Sequence, residues 1–393
     1  VVLVTLDSVR EDFFDEYAPR LRERADIVFM QCRAASGWSV PSHASMLTGQ
    51  LPHQHGIHVY DRDFSGLSRE DTFLSDLPDH RALGASANVY ASGAFGFDAP
   101  FDAYRSVSPD RRFPDGMDVE RWGQECDEDG LARYAAFVRA ALGHNHPLAS
   151  LGNGILVEIA HRVADAPFPT PFDDGARLVA KESRRLVGDE SEPFVLFTNF
   201  MDGHGPFHHV WKYDDDLHDV PRSWDSGDYS THTLNTEGVT DENRHHIENT
   251  RGLYGAAVDY LDRQVCDLVD WLHANTERET TIVVTADHGE NLGYPADEEL
   301  LAHKGVLTEG LLHVPLLVLN APDSNVDLDE SRYVSHLELG GLLVGLAKGE
   351  VPDPTAGRIP AERIGSNMAD NASEEDRAEW DRMIRVVYEG DKK

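Results

Sequence analysis

The segment Ser39-Val40-Pro41-Ser42-His43-Ala44-Ser45-Met46-Leu47-Thr48-Gly49 places a hydroxyl two residues ahead of a proline at the predicted start of a helix. Free N–H groups and the helix dipole at such a start can stabilise an anion beside the hydroxyl, which suits a nucleophile. Taken alone, the same segment also describes an N-capping serine with an ordinary first-turn proline. Asp7 and the pair Asp287-His288 narrow the reading, because each follows a short β-branched apolar run. Two carboxylates and an imidazole make an open site for a hard or borderline divalent cation, with one position left for the Ser39 oxygen. Such a cation would lower the pKa of the hydroxyl and screen its repulsion from an anionic ester. His204 can donate a hydrogen bond or a proton near neutral pH, so it suits a leaving group. Lys304 stands out in a chain with only six lysines among 35 basic residues, and its compact ammonium could contact ester oxygens. His43 and His303 read either as substrate contacts or as hydrogen-bond partners of their loops. The pairs His208-His209 and His245-His246 read as surface or lid residues, and their spacing supports no zinc site.

These residues need a frame that brings them together. Val1 to Leu6, Phe194 to Asn199, Thr281 to Thr285 and Val314 to Leu319 read as buried strands. Helical patterns run over Ala18 to Arg24, Ser42 to Leu47, Leu131 to Leu142, Gly175 to Val187, about Asn249 to Ala274, and Leu337 to Leu346. Strands alternating with helices predict an α/β fold, a large mostly parallel or mixed sheet sandwiched between helices. Open α/β sheets bind ligands at the carboxyl ends of their strands. Asp7, Asp202, His204, Asp287 and His288 follow such ends and should converge. Residues 143 to 173 and 205 to 247 read as irregular. The second stretch directly follows His204 and reads as either a specificity lid or a surface excursion.

Several blocks resemble the sulfatase family of the alkaline phosphatase superfamily. Its signature is a Cys or Ser, any residue, Pro, any residue and Arg, then Ala-Ser-x-Leu-Thr-Gly and a Pro-x-x-His-Gly turn. Ser39 stands at the nucleophile position and His43 at that of the Arg, with Pro52 to Gly56 as the turn. Val-Thr-Leu-Asp7-Ser8, Asp202-Gly-His204-Gly-Pro206, Asp287-His288-Gly289-Glu290 and His303-Lys304 with Glu309 and Val314-Pro315 resemble further family blocks, in family order. The resemblance implies an alkaline-phosphatase-like fold over residues 1 to 320. It implies a metal on Asp7, Ser39, Asp287 and His288, catalytic Ser39, His204 and Lys304, and substrate contacts from His43 and His303. It further implies hydrolysis of sulfate esters by Ser39 or by a formylglycine made from it. Calcium-type sulfatases have paired carboxylates and Asp-Asn where this chain has Asp7-Ser8 and Asp287-His288. Those substitutions resemble phosphonate monoester hydrolases and phosphoglycerol transferases, which favour manganese, so phosphodiester hydrolysis or phosphoglycerol-type transfer is the rival chemistry. A catalytically silent binder of anionic glycans is the rival from another class.

The 393 residues carry 70 acidic and 35 basic side chains, a net charge of −35, which argues against nucleic acid or anionic membrane as a partner; a small anionic ester or sulfated glycan is the partner that the family resemblance implies. Hydrophobic residues at 40% argue against disorder. Acidic residues spread along the whole length resemble those of salt-loving organisms, an archaeal halophile being the expected source. No apolar run approaches the roughly 20 residues of a membrane span. Cys32, Cys126 and Cys266 form no disulfide framework, which fits a cytoplasmic location. The acidic stretch from Ala321 to Arg332 reads as a linker. Residues 321 to 393 read as a C-terminal helix and a partial small subdomain ending in a strand over Met383 to Tyr388, with both chain ends trimmed.

Overall fold

The computed structural model describes residues 1–107, 111–119, 122–123, 126, 128–164, 169–188, 190–323, 328–329, 331–366 and 380–390. Its strands are β1 (Val2–Leu6), β2 (Ile27–Val28), β3 (Gln31–Arg33), β4 (Arg81–Ser86), β5 (Ala103–Ser106), β6 (Phe194–Phe200), β7 (Ile282–Ala286), β8 (Leu316–Leu319), β9 (Tyr333–Ser335), β10 (Thr355–Ala356), β11 (Arg358–Ile364) and β12 (Met383–Glu389). Seven form the main sheet in the order β2-β8-β7-β1-β6-β4-β5. It is mixed: β8 runs antiparallel to both β7 and β2, and the other pairs are parallel. The central strands β1, β6 and β7 are buried along their whole length, as continuous apolar runs covered on both faces require. Register then aligns their ends. Leu6 pairs with Phe200 on one side and with Ala286 on the other, so Asp7, Asp202 and Asp287 leave the sheet along one edge.

The 32-residue helix Arg244–Asn275 packs against helices Glu11–Tyr17, Pro19–Arg24 and Ala176–Gly188. It also supplies a cap that the sequence near Pro19 lacks. Asp262 accepts the backbone N–H groups of Arg20 at 3.1 Å and Leu21 at 2.8 Å, satisfying first-turn donors of helix Pro19–Arg24 from outside.

Several expectations need correction. Residues 143 to 173 are not wholly irregular, because helix Pro147–Ala164 lies inside them and packs on helix Gly130–Gly143. Its Gly152-Asn153-Gly154 mimics a loop. In the fold a methyl group on Gly154 would collide with the Phe137 ring, and Asn153 bonds the backbone of Phe113 and Met117. Similarly, 205 to 247 contains helix Thr231–Glu237 and the start of the long helix. The expected terminal strand is present as β12, but its antiparallel partner β11 was unforeseen. The acidic stretch 321 to 332 lies partly outside the described residues. All three cysteines are free, and among the described residues no helix is long and apolar enough to cross a membrane.

Glu11 opens helix Glu11–Tyr17 as a buried carboxyl. Among the described residues neither of its oxygens has a hydrogen-bond partner, and Arg22 lies 3.5 Å away. Burial pushes its pKa up to about 8, against the pull of Arg22. The folded state therefore holds a proton that the unfolded chain releases near the ordinary value of 4.5. Stability from this group is present below that value and is lost as pH rises toward about 8. Denaturant unfolding at pH 5 and pH 9 should show Glu11→Gln gaining at least about 2 kcal/mol relative to wild type between the two. An equal pH response in both proteins would refute the assignment.

Candidate active site

Asp7 follows β1 and is fully buried. Its Oδ1 accepts from the Ser8 hydroxyl at 2.9 Å and its Oδ2 from Asn88 Nδ2 at 2.5 Å. Ser8 takes a left-handed conformation, φ 61°, and this sharp turn brings its N–H to Asp287 Oδ1 at 3.1 Å. The two carboxylates are thereby tied together. Asp287 Oδ1 also accepts the His288 N–H at 2.9 Å, whereas its buried Oδ2 has no hydrogen-bond partner among the described residues. His288 Nδ1 donates to the Gly289 carbonyl at 2.7 Å, which leaves Nε2 as a lone pair. Burial and the nearby His303 push His288 down to about 3, so it stays neutral. Gly289 is needed here because any side chain would strike the Gly310 backbone.

Ser39 is the first residue of helix Ser39–Thr48. Its Oγ lies 3.2 Å from His288 Nε2 and 3.4 Å from Asp7 Oδ2. The N–H groups of Ser39 and Val40 lie in the first turn, ahead of the helical ladder, where a helix start can meet an anion. The Ser42 hydroxyl bonds the Asp287 carbonyl at 2.5 Å, locking the helix to the end of β7. Asp7, Asp287 and His288 offer ligand atoms that lie within 4.8 Å of one another. An unpartnered buried carboxylate oxygen and a neutral imidazole lone pair are the donors a divalent cation uses, so the residues fit such an ion. A second group, His209, Asp215 and His218, also falls within 4.8 Å, but Arg222 holds Asp215 at 2.6 Å and His209 Nε2 donates to the Pro221 carbonyl.

His43, expected at the substrate, is held elsewhere. Only 1% of it is exposed, its Nδ1 meets the Ser39 carbonyl at 2.8 Å, and its Nε2 meets Asn199 Nδ2 at 3.1 Å. With Phe97 and Phe197 edge-on to its ring, it buttresses the Ser39 turn, and its Nδ1 also lies 3.6 Å from Asp287 Oδ2. Asp202 is likewise structural, accepting the N–H groups of Asp174 and Ala176 where helix Ala176–Gly188 begins.

His204, His303 and Lys304 do come together. They line a cavity of about 560 Å³ with Glu290, and the His303 ring lies 5.1 Å from that of His204 and 4.8 Å from that of His288. Phe207, Tyr229 and Leu234, from the segment expected to be a lid, form part of the wall. His204 Nδ1 donates to the Gly205 carbonyl. Burial disfavours its charge, but Asp7, Glu290, the Gly205 carbonyl and Asp287 together outweigh that and raise its pKa. Burial, His204 and Arg363 hold His303 well below its ordinary value. Burial lifts Glu290 to about 7, and His303, kept neutral by its lowered pKa, meets Glu290 through Nδ1 at 3.3 Å. Lys304 is lowered by burial, partly offset by Glu290.

Sequence reasoning missed Asn88 and Arg363. Asn88 fixes the Asp7 carboxylate and lies two residues beyond β4, a strand whose short Gly-containing sequence gives little periodicity. Arg363, buried on β11, donates to the Gly37 carbonyl at 3.1 Å and the His303 carbonyl at 3.2 Å. It thus pins the loops carrying Ser39 and Lys304 from a segment that has no motif of its own.

The fold and the family match together place the chain in the alkaline phosphatase superfamily. The chain belongs to the sulfatase family, whose model, "Sulfatase", matches residues 1–349. It is similar to the choline-sulfatase of Rhizobium meliloti (strain 1021), with 23% identity across 84% of this chain. That match spans 65% of the relative's length. Among solved structures, the phosphonate monoester hydrolase of Agrobacterium radiobacter has a similar fold, with a TM-score of 0.60, 13% identity, and coverage of 99% of this chain and 85% of that one. A protein solved with its substrate D-glucosamine-2-N,6-O-disulfate has a TM-score of 0.57, 12% identity, and coverage of 100% and 89%.

Proposed function

We propose that the protein hydrolyses a sulfate ester, with Ser39 or an aldehyde hydrate derived from it as the attacking oxygen. The observation that carries this is Ser39 Oγ between His288 Nε2 and Asp7 Oδ2 at a helix start, beside a cavity walled by His204, His303 and Lys304. A divalent ion on Asp7, Asp287 and His288, with the imidazole favouring manganese over calcium, would acidify the attacking hydroxyl and screen an anionic substrate. The first-turn N–H groups and Lys304 hold the ester oxygens. His204 in its charged form gives its Nε2 proton to the departing alcohol oxygen. Glu290 and His303 carry the hydrogen-bonded wall on which His204 rests.

A phosphate ester is the second reading. It is favoured by His43, which stands where the family signature has Arg and is turned inward onto the Ser39 carbonyl. Aryl sulfate, phosphate monoester and phosphodiester substrates assayed side by side test the proposal. Fastest turnover of the sulfate is expected, and absence of turnover on all three would refute ester hydrolysis and leave a silent binder. On the best substrate His204→Ala and Lys304→Ala should each lower kcat by roughly 30- to 1,000-fold, about 2 to 4 kcal/mol for a well-placed donor, with unfolding midpoints little changed. Near wild-type kcat in both variants would remove them from the chemistry.

A further inference from the structure

Arg62 reaches the same cavity from a loop outside every recognised motif. Its guanidinium lies 5.2 Å from the Trp38 ring centroid and 5.8 Å from that of Tyr90, and the two rings meet edge-on at 5.3 Å. Nε donates to the Val59 carbonyl at 3.1 Å and one terminal nitrogen to the Tyr90 hydroxyl at 3.4 Å. Among the described residues no carboxylate pairs with it. That is notable in a chain with 70 acidic residues, where Arg10, Arg20, Arg24 and Arg33 all hold carboxylate partners. Trp38 immediately precedes Ser39 in the chain, and Arg62 lines the same cavity as His204, His303 and Lys304.

Two charge arguments follow. Two aromatic rings facing a cavity form the usual receptor for a quaternary ammonium, but here a built-in cation already occupies that position. A cationic alcohol would meet Arg62 at the rings and would be repelled by Lys304 and charged His204. Conversely, a guanidinium held by rings and neutral acceptors keeps donors for an anion, and arginine offers them in a planar fork matched to carboxylate, sulfate or phosphate. Glu290 is the only carboxylate among the described residues lining the cavity, and it is engaged by His303 Nδ1 at 3.3 Å. About 560 Å³ is room for an alcohol the size of a sugar.

The geometry points to a second anion subsite at Arg62: the alcohol of the substrate ester carries a further sulfate, phosphate or carboxylate group, which Arg62 binds while Ser39 faces the ester to be cleaved. This rests on the proposed ester chemistry and deepens it. It also separates this chain from its choline-sulfatase relative, because an ammonium alcohol is the wrong charge for the cavity.

The test uses binding and turnover so that the two readings fail separately. The Ser39→Ala protein, loaded with manganese, is titrated calorimetrically with glucosamine bearing N- and 6-O-sulfates, with the same sugar bearing the 6-O-sulfate alone, and with choline sulfate. The disulfated sugar should bind at least about 30-fold more tightly than the monosulfated one, and choline sulfate should bind weakest. Adding Arg62→Ala should cut the disulfated-to-monosulfated ratio at least about 10-fold, and Arg62→Lys should give an intermediate ratio. The matching kcat/KM ratio in the protein with Ser39 intact should change in parallel. Equal binding of the two sugars, a ratio unaffected by Arg62→Ala, or tightest binding of choline sulfate would overturn the subsite. Binding that follows the expected order without turnover of any ester would retain the subsite and sink the hydrolase reading.

Discussion

Asp287→Asn should reduce bound divalent metal from about one ion per chain to a small fraction of that, and lower turnover by roughly 1,000-fold or more. The reason lies in how the Asp287 oxygens are used. Oδ1 is committed to the N–H groups of Ser8 and His288, a role that an amide oxygen can keep. Oδ2 is buried without a hydrogen-bond partner, and Asp7 lies close enough to share a ligand with it. A buried carboxylate in that state costs stability unless a cation compensates it. The metal-free proteins should therefore respond oppositely to the metal-loaded ones. After chelation, Asp287→Asn should unfold at a higher temperature than wild type, because the uncompensated charge is gone. With manganese present, wild type should be the more stable. Elemental analysis and paired thermal unfolding check this without any assay. Unchanged metal content in the variant, or a wild-type protein indifferent to chelation, would remove Asp287 from the ligand set.

The sheet and its converging strand ends were legible because β1, β6 and β7 are short runs of mostly apolar and β-branched residues, followed closely by Asp or by Asp and then His. Periodicity and burial coincide there, so sequence and structure give the same elements to within a residue or two. Strands β4 and β11 were not legible for the opposite reason. Strand β4 is Arg-Ala-Leu-Gly-Ala-Ser, and β11 carries Pro360, Glu362 and Arg363. Glu362 and Arg363 read as surface charges, yet both are buried: the first accepts the His53 N–H at 2.7 Å and the second donates to the Gly37 carbonyl. Sequence spacing shows which residues can do chemistry but not which charged residues support them from 300 positions away. His43 shows the same limit within a motif. Its position invites a substrate contact, while its ring is fixed to the Ser39 carbonyl one helical turn back, an i to i+4 relation that a helix makes easy.

Ser39→Ala should lower turnover of every accepted ester by roughly 10,000-fold, about 5 kcal/mol of transition-state stabilisation, with metal content retained. The group lost is a hydroxyl 3.2 Å from His288 Nε2 and 3.4 Å from Asp7 Oδ2, and alanine leaves the helix start otherwise intact. The chemical state of that oxygen decides which ester is natural. An aldehyde hydrate at this position carries two hydroxyls; one takes the sulfuryl group and the other expels it as sulfate, regenerating the aldehyde. A plain serine must instead form a serine ester that water clears by attack at sulfur or phosphorus, and phosphoserine is the ester more readily cleared in this way. The family signature places Arg where His43 stands, and that difference should impair conversion, so mass spectrometry of the peptide containing Ser39 from its native host is expected to show unmodified serine. This expectation pulls against the sulfate reading, and one preparation tests both. A peptide lighter by two hydrogens would overturn it and fix the enzyme as a sulfatase. The serine mass together with an inactive Ser39→Ala variant would put phosphate esters ahead, with a burst of released alcohol equal to the enzyme present as the phosphoserine accumulates.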